Sequence, residues 1–198
     1  MGLALEYQNG ETPLDEEEKV GLRIGFITTR GELDEYEQQN NEIAYQWVLD
    51  RNFKPEVIFT EDFVCNIHKR MFGEVWAWAG AFRKTNKNIG IEFWQIPMQL
   101  KLLLDDARFW HENKTFPPDE MALRFKHLLV SIHCFPNGNG RHSRLMADIM
   151  IEKIYKQPPF SWGAANLKKP GDARREYLKA VKAADKGDYN LLLSFARS

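Results

Sequence analysis

From residue 42 to the C-terminus, apolar side chains recur at helical spacing, and this periodicity restricts the chain to helices packed on helices. Leu100, Leu103, Leu104, Ala107 and Trp110 follow the i, i+3, i+4, i+7 rule. Met121, Phe125, Leu128 and Ile132 do the same behind Pro117-Pro118-Asp119-Glu120, a helix start with proline in the first turn and acids against the dipole. Phe63, Ile67 and Met71 repeat at every fourth position, with Asp62 ahead of them as a cap, and Ile43, Trp47 and Val48 carry the period further upstream. Tyr177, Val181 and Ala184, then residues 189–195 after Asp188, predict a last helical pair.

Residues 83–97 break the period. Ile89-Gly90-Ile91-Glu92-Phe93 alternates as a strand does, which predicts a small β-hairpin or extended flap inserted between helices. The expected fold class is therefore all-α with one small β-hairpin flap. Residues 1–40 differ from the rest: a polar, acidic lead, then a polar helical run that Thr29 and Glu32 can open as a capping box. The expected division is an N-terminal extension over 1–40 and a main domain over 41–198.

Charge and cysteine content narrow the function. Lys+Arg 27 against Asp+Glu 28 leaves a formal net charge of -1, so nucleic acid or an anionic membrane is not held by bulk charge, and any anion is bound locally. The two cysteines, Cys65 and Cys134, suit a reducing compartment. The N-terminus has no basic start followed by an apolar run, and the apolar stretches are too short to cross a bilayer. A cytoplasmic protein is expected, with no nucleic-acid or membrane partner.

The chemistry concentrates in His133-Cys134-Phe135-Pro136-Asn137-Gly138-Asn139-Gly140-Arg141-His142-Ser143-Arg144. A helix ends near His133, and Pro136 opposes its continuation. Residues 137–140 tolerate positive φ, so successive N–H groups can face one concavity at the start of the next helix, which makes an anion site. Arg141 and Arg144 lie one turn apart on one face, each able to grip phosphate oxygens. The near-neutral reference pKa of a histidine suits His133 to the role of general base. Taken singly, a Gly/Asn turn is a connector, a histidine at a helix end is a hydrogen-bonder, and an arginine pair is a solvated face. Their compression into twelve residues points to phosphoryl or nucleotidyl transfer.

These twelve residues resemble the Fic (Fic/Doc) family signature, His-x-Phe-x-(Asp/Glu)-Gly-Asn-Gly-Arg-x-x-Arg, with His, Phe, Gly, Asn, Gly and both Arg in register. The resemblance implies a Fic-type helical bundle and transfer of AMP from ATP to a Ser, Thr or Tyr hydroxyl of a target protein, with Mg²⁺. It further implies that His133 is the base, that Phe135 anchors the loop, that Gly138, Asn139, Gly140 and Arg141 receive the nucleotide phosphates, and that Arg144 reaches the γ-phosphate. Lys87, Asn88, Ile89, Gly90 and Ile91 would be the flap onto which an extended target docks by strand addition.

Two departures bear on these expectations. Asn137 stands where the family has the acidic Mg²⁺ ligand, and a carboxamide offers only a neutral oxygen, so it is a weak metal candidate. A catalytically weakened nucleotide-binding or protein-interaction module, or a transferase using another phosphate ester, is the alternative. Cys134 replaces the usual proline, and adjacent side chains diverge, so a Cys–His nucleophile ranks low. Finally, Thr28-Thr29-Arg30-Gly31-Glu32-Leu33 is similar to the family's inhibitory pattern, (Ser/Thr)-x-x-x-Glu-(Gly/Asn), up to the glutamate. That implies a brake in which Glu32 binds Arg144, against the plainer reading of Glu32 as a cap. Control by a separate antitoxin partner of a regulated toxin stays open beside it.

Overall fold

The computed structural model describes residues 12–164 and 170–198, without the side chains of residues 170–174. The helices are α1 (Glu16–Lys19), α2 (Arg30–Leu49), α3 (Pro55–Ile58), α4 (Glu61–Phe72), α5 (Ile96–Asn113), α6 (Pro118–Ile132), α7 (Asn139–Ile149), α8 (Pro170–Ala184) and α9 (Asn190–Arg197). A 3-10 turn, Phe93–Gln95, leads into α5, and a π turn, Met150–Ile154, extends α7. The described residues form no β-strand; Leu22 and Trp76 make an isolated antiparallel bridge. None of the described helices is long and apolar enough to cross a membrane.

The helix starts follow local chemistry. Thr29 accepts the Glu32 N–H while the Glu32 carboxylate reaches back to the cap, so the expected capping box opens α2. Thr60 caps α4 by accepting from Phe63 N, two positions ahead of the expected Asp62, which lies inside the first turn. Pro118 starts α6 with Asp119 and Glu120 in the first turn, as its sequence predicts.

Helices α6 and α7 pack on each other, with α5 and α9 against α6 and α4 against α7. Leu100, Leu103, Leu104 and Ala107 of α5 meet Met121, Phe125 and Leu129 of α6 in a continuous core that also takes Phe135, Met146 and Ile149. Leu128, at an apolar position of the α6 pattern, is 37% exposed.

Helix α2 buries Val48 and packs Trp47 on the core as expected, but it turns Ile43 outward. Ile43 is 66% exposed, whereas Leu33, Glu37, Asn40, Ala44 and Val48 face inward onto α4. Asn40 fits there because its amide donates to Arg70 O at 3.0 Å and its carbonyl accepts from Glu74 N at 3.1 Å. The helix runs unbroken through residue 40, so the N-terminal extension and the main domain share an element.

The expected β-hairpin is corrected by residues 83–97, which run as an irregular loop into the 3-10 turn. The cause is Arg83, buried at 2% exposure. Its guanidinium donates to the carbonyls of His133 (2.6 Å), Thr85 (2.8 Å) and Ile91. Those contacts tie the segment to α6 from within, so its carbonyls serve an arginine instead of a ladder.

Candidate functional site

Helix α6 ends at His133, whose φ of 58° and ψ of 60° lie in the left-handed region. That conformation costs a non-glycine residue about 1–2 kcal/mol. The turn is held by the bond from Arg83 Nε to His133 O at 2.6 Å and, one residue on, by Arg83 N donating to Cys134 O at 2.9 Å. It directs a nearly buried imidazole, 4% exposed, toward the flap segment. Gly90 lies against it: at φ 96°, a Cβ there would stand 2.5 Å from His133 Cβ.

His133 Nε2 is 3.1 Å from the Thr12 hydroxyl, and Nδ1 is buried without a hydrogen bond of normal geometry. Burial first, and the Arg83 charge second, push this imidazole down to about 4, with the Val130 carbonyl pulling only partly the other way. The ring is therefore neutral near pH 7. With its proton assigned to Nδ1, Nε2 can accept from a hydroxyl.

The loop that follows is built from the inside. Phe135 is fully buried and stacks on His68 with centroids 3.7 Å apart. Gly80 N donates to His68 Nδ1 at 3.0 Å, so His68 Nε2 carries the proton and donates to Asn137 O, also at 3.0 Å. His142 Nε2 donates to Val64 O at 3.0 Å. Burial pushes His68 well below its ordinary pKa and His142 down to about 4, so both props are neutral. The Asn139 side chain turns inward, accepting from Phe135 N at 3.0 Å and donating to Phe135 O at 2.7 Å. Its contribution is loop shape.

Gly138 caps α7 at φ 79°, and a Cβ there would lie 2.5 Å from the Phe72 ring. The first-turn N–H groups of α7 have no acceptor within the helix, and a helix start of this kind favours negative charge. At Gly140 the space a Cβ would occupy is open. Arg141 and Arg144 line a cavity of about 550 Å³ between α2 and α7, together with Asp34, Tyr45, Asp148 and Trp162. That volume suits a nucleotide-sized ligand. His133 is not among its lining residues.

Neither arginine stands alone. Arg141 donates to Glu37 at 2.6 Å and lies over the Phe72 ring at 4.8 Å. Glu37, 3% exposed, also accepts from Trp76 Nε1 at 2.6 Å. Arg144 lies over the Tyr177 ring at 5.2 Å, and the Tyr177 hydroxyl accepts from Lys126 Nζ at 2.5 Å. Burial, then the Arg144 charge, lowers Lys126 to about 7. Asp148 accepts from Trp162 Nε1 and Phe160 N, and burial raises its carboxyl to about 6.

Glu32 is on the opposite course from the expected brake. Its exposed carboxylate accepts from Thr28 N and Thr29 N at 3.0 Å each, so its observed contacts are those of the cap. The α2 carboxylate on a signature arginine is Glu37, and the arginine is Arg141. In the sequence Glu37 is hidden within a polar run; its helical spacing from Leu33, Asn40 and Ala44 is the signal that finds it.

Asn137 Oδ1 accepts from Gly138 N at 2.6 Å, and among the described residues no group of three or more His, Cys, Asp or Glu side chains is placed to hold a metal ion. Mg²⁺ is held through carboxylates and substrate phosphates. The residues present therefore do not fit a protein-held Mg²⁺ at this loop. Cys134 is buried, and burial pushes its thiol far up, which removes it as a nucleophile.

In the flap, the Lys87 side chain is 3% exposed and paired with Asp15 at 2.8 Å and Glu18 at 2.5 Å. Ile91 gives its carbonyl to Arg83, while Asn88, Ile89 and Gly90 are exposed. Trp76 is core, and Trp94 is 61% exposed beside Phe93.

Residues 58–151 match the model of the Fic/DOC family. The protein adenylyltransferase Fic of Drosophila grimshawi is 27% identical over 136 residues, 67% of this chain and 26% of that protein. The chain thus spans about a quarter of the length of the curated relatives it matches. Fic-1 from C. elegans superposes with a TM-score of 0.65 at 24% identity, covering 82% of this chain and 48% of that one. The BepC protein of Bartonella tribocorum, solved with bound AMPPNP, gives 0.63 at 18% identity, covering 92% and 97%.

Proposed function

From the premise that residues 58–151 of this chain are a Fic/DOC-family domain, we propose that the protein transfers AMP from ATP to a hydroxyl of a Ser, Thr or Tyr side chain on a target protein. The observation that carries this reading is a neutral His133 with a hydroxyl on Nε2, one turn of loop away from the α7 N-terminus. The acceptor hydroxyl gives its proton to Nε2 as its oxygen attacks the α-phosphorus, and pyrophosphate leaves. The N–H groups at the start of α7 face the charge that develops on the phosphoryl oxygens. Arg141 and Arg144 hold the leaving phosphates from the cavity side.

The test is incubation with α-labelled ATP. His133→Ala is expected to lower transfer by about 10²-fold or more while nucleotide binding and melting temperature stay near native values. Equal labelling by both chains would overturn the assignment.

A second reading has its own support in Asn137, whose amide oxygen is held by Gly138 N and which brings no charge to a metal. On that reading the chain binds nucleotide with weakened transfer. Asn137→Asp is then expected to raise metal-dependent labelling, with nucleotide affinity made more sensitive to Mg²⁺.

The brake on α2 belongs to Glu37. Its salt bridge holds Arg141 away from phosphate, and ATP must replace a buried, hydrogen-bonded carboxylate to recruit that arginine.

A further inference from the structure

We propose that Thr12 of this chain is itself an acceptor, so that the protein adenylylates its own N-terminal segment intramolecularly. The inference rests on the transferase reading above and names one substrate of that site.

The segment lies where an extended target would lie. Thr12 is 7% exposed, and its Oγ1 is 3.1 Å from His133 Nε2, a contact spanning 121 positions of sequence. Leu14 enters the core at 5% exposure, so the residue two positions on is anchored. The next contacts fall on the flap itself. Asp15 Oδ2 accepts from Thr85 Oγ1 at 2.6 Å and pairs with Lys87 at 2.8 Å. Lys87 also donates to Glu18 at 2.5 Å and to Pro13 O at 3.4 Å. Trp78 Nε1 donates to Glu18 O at 3.0 Å, and Ala77 N donates to Gly21 O at 2.8 Å, which moors the segment to the body of the domain.

These are the requirements of an acceptor, met within one chain. The Thr12 hydroxyl sits on Nε2 of His133. Acidic side chains pair with the flap lysine, and the attachment is covalent, so the hydroxyl is presented at high effective concentration. A core threonine would instead hydrogen-bond to a backbone carbonyl of its own element. In the step, Thr12 Oγ1 forms a bond to the α-phosphorus of ATP and the α–β P–O bond breaks. Pyrophosphate leaves with the electron pair, and the hydroxyl proton goes to His133 Nε2.

The product has two consequences. The adenylyl group adds a negative charge and bulk at a buried position, so the modified segment is displaced from the flap. Lys87, Ile89 and Gly90 are then open to a target chain.

The test uses the full chain with α-labelled ATP and either Mg²⁺ or Mn²⁺, as the native sequence and with Asn137→Asp. The modified residue is located by peptide mass spectrometry. Label is expected on Thr12, retained by Thr12→Ser, abolished by Thr12→Val at unchanged melting temperature, and formed at a rate independent of protein concentration. Label only at other residues, or label on Thr12 that forms faster as protein concentration rises, overturns the intramolecular acceptor and leaves AMP transfer standing. No label in either background overturns both.

Discussion

Gly138 and Gly140 lie two positions apart, and their surroundings make opposite demands. Gly138 needs a positive φ and has the Phe72 ring in the place of a side chain. Gly138→Ala is expected to lower stability by about 2–4 kcal/mol, the sum of a left-handed strain and an overpacked contact, read from the denaturation midpoint. Gly140 lies in helical backbone with open space on its Cβ side. Gly140→Ala is expected to leave the melting temperature unchanged or raise it by about 2–4 °C, because alanine favours the helix. The same methyl stands where a phosphate would approach α7, so nucleotide affinity is expected to fall by calorimetric titration. Thermal stability that falls together with affinity would contradict this division. Both glycines are legible in the sequence as loop residues. Which one serves packing and which one leaves room is set by Phe72, 66 positions upstream of Gly138.

At the scale of elements, α2 and the flap carry the largest differences between pattern and structure. The sequence of α2 reads as a solvated helix, because its inward face holds Glu37 and Asn40 among small and apolar residues. Burial of Glu37 becomes tolerable only when Trp76 and Arg141 arrive from other segments. Glu37→Gln keeps an acceptor for Trp76 and releases the Arg141 salt bridge, so labelling by ATP and affinity for nucleotide are both expected to rise. Glu32→Gly removes half of the α2 capping box and is expected to lower the melting temperature slightly without raising labelling. Labelling that rises with Glu32→Gly and not with Glu37→Gln would return the brake to Glu32. The flap follows the same logic. Alternation at residues 89–93 is a genuine strand signal, but Arg83 takes up the carbonyls that a ladder would need.

For the molecule as a whole, buried histidines dominate the response to acid. His133 and His142 fall to about 4 in the folded protein and His68 falls well below its ordinary value. Unfolding returns each to near 6.5, so between about pH 6.5 and 4 the unfolded chain binds more protons and stability is lost as pH falls. For His133 and His142 this amounts to on the order of 3 kcal/mol each. Asp148 opposes this below its raised pKa of about 6, as one group against three. Lys126, lowered to about 7, adds further stability as pH rises from 7 toward its ordinary value. The melting temperature is accordingly expected to rise steadily from pH 5 to pH 8. A maximum near pH 5 in a thermal scan series would contradict the neutral state of these imidazoles.

The sequence by itself determined the helical class, most helix positions and the placement of His133, the loop glycines and both arginines within one short segment. It could do so because periodicity, caps and turn residues are local, and because the signature is contiguous. The tertiary structure decided what surrounds that segment: Glu37 on Arg141, His68 under Phe135, Arg83 across the flap, and Thr12 on His133. Each of these joins residues far apart in sequence, and each involves a polar group whose burial is favourable only when its partner is present. No window of sequence contains both halves of such a pair.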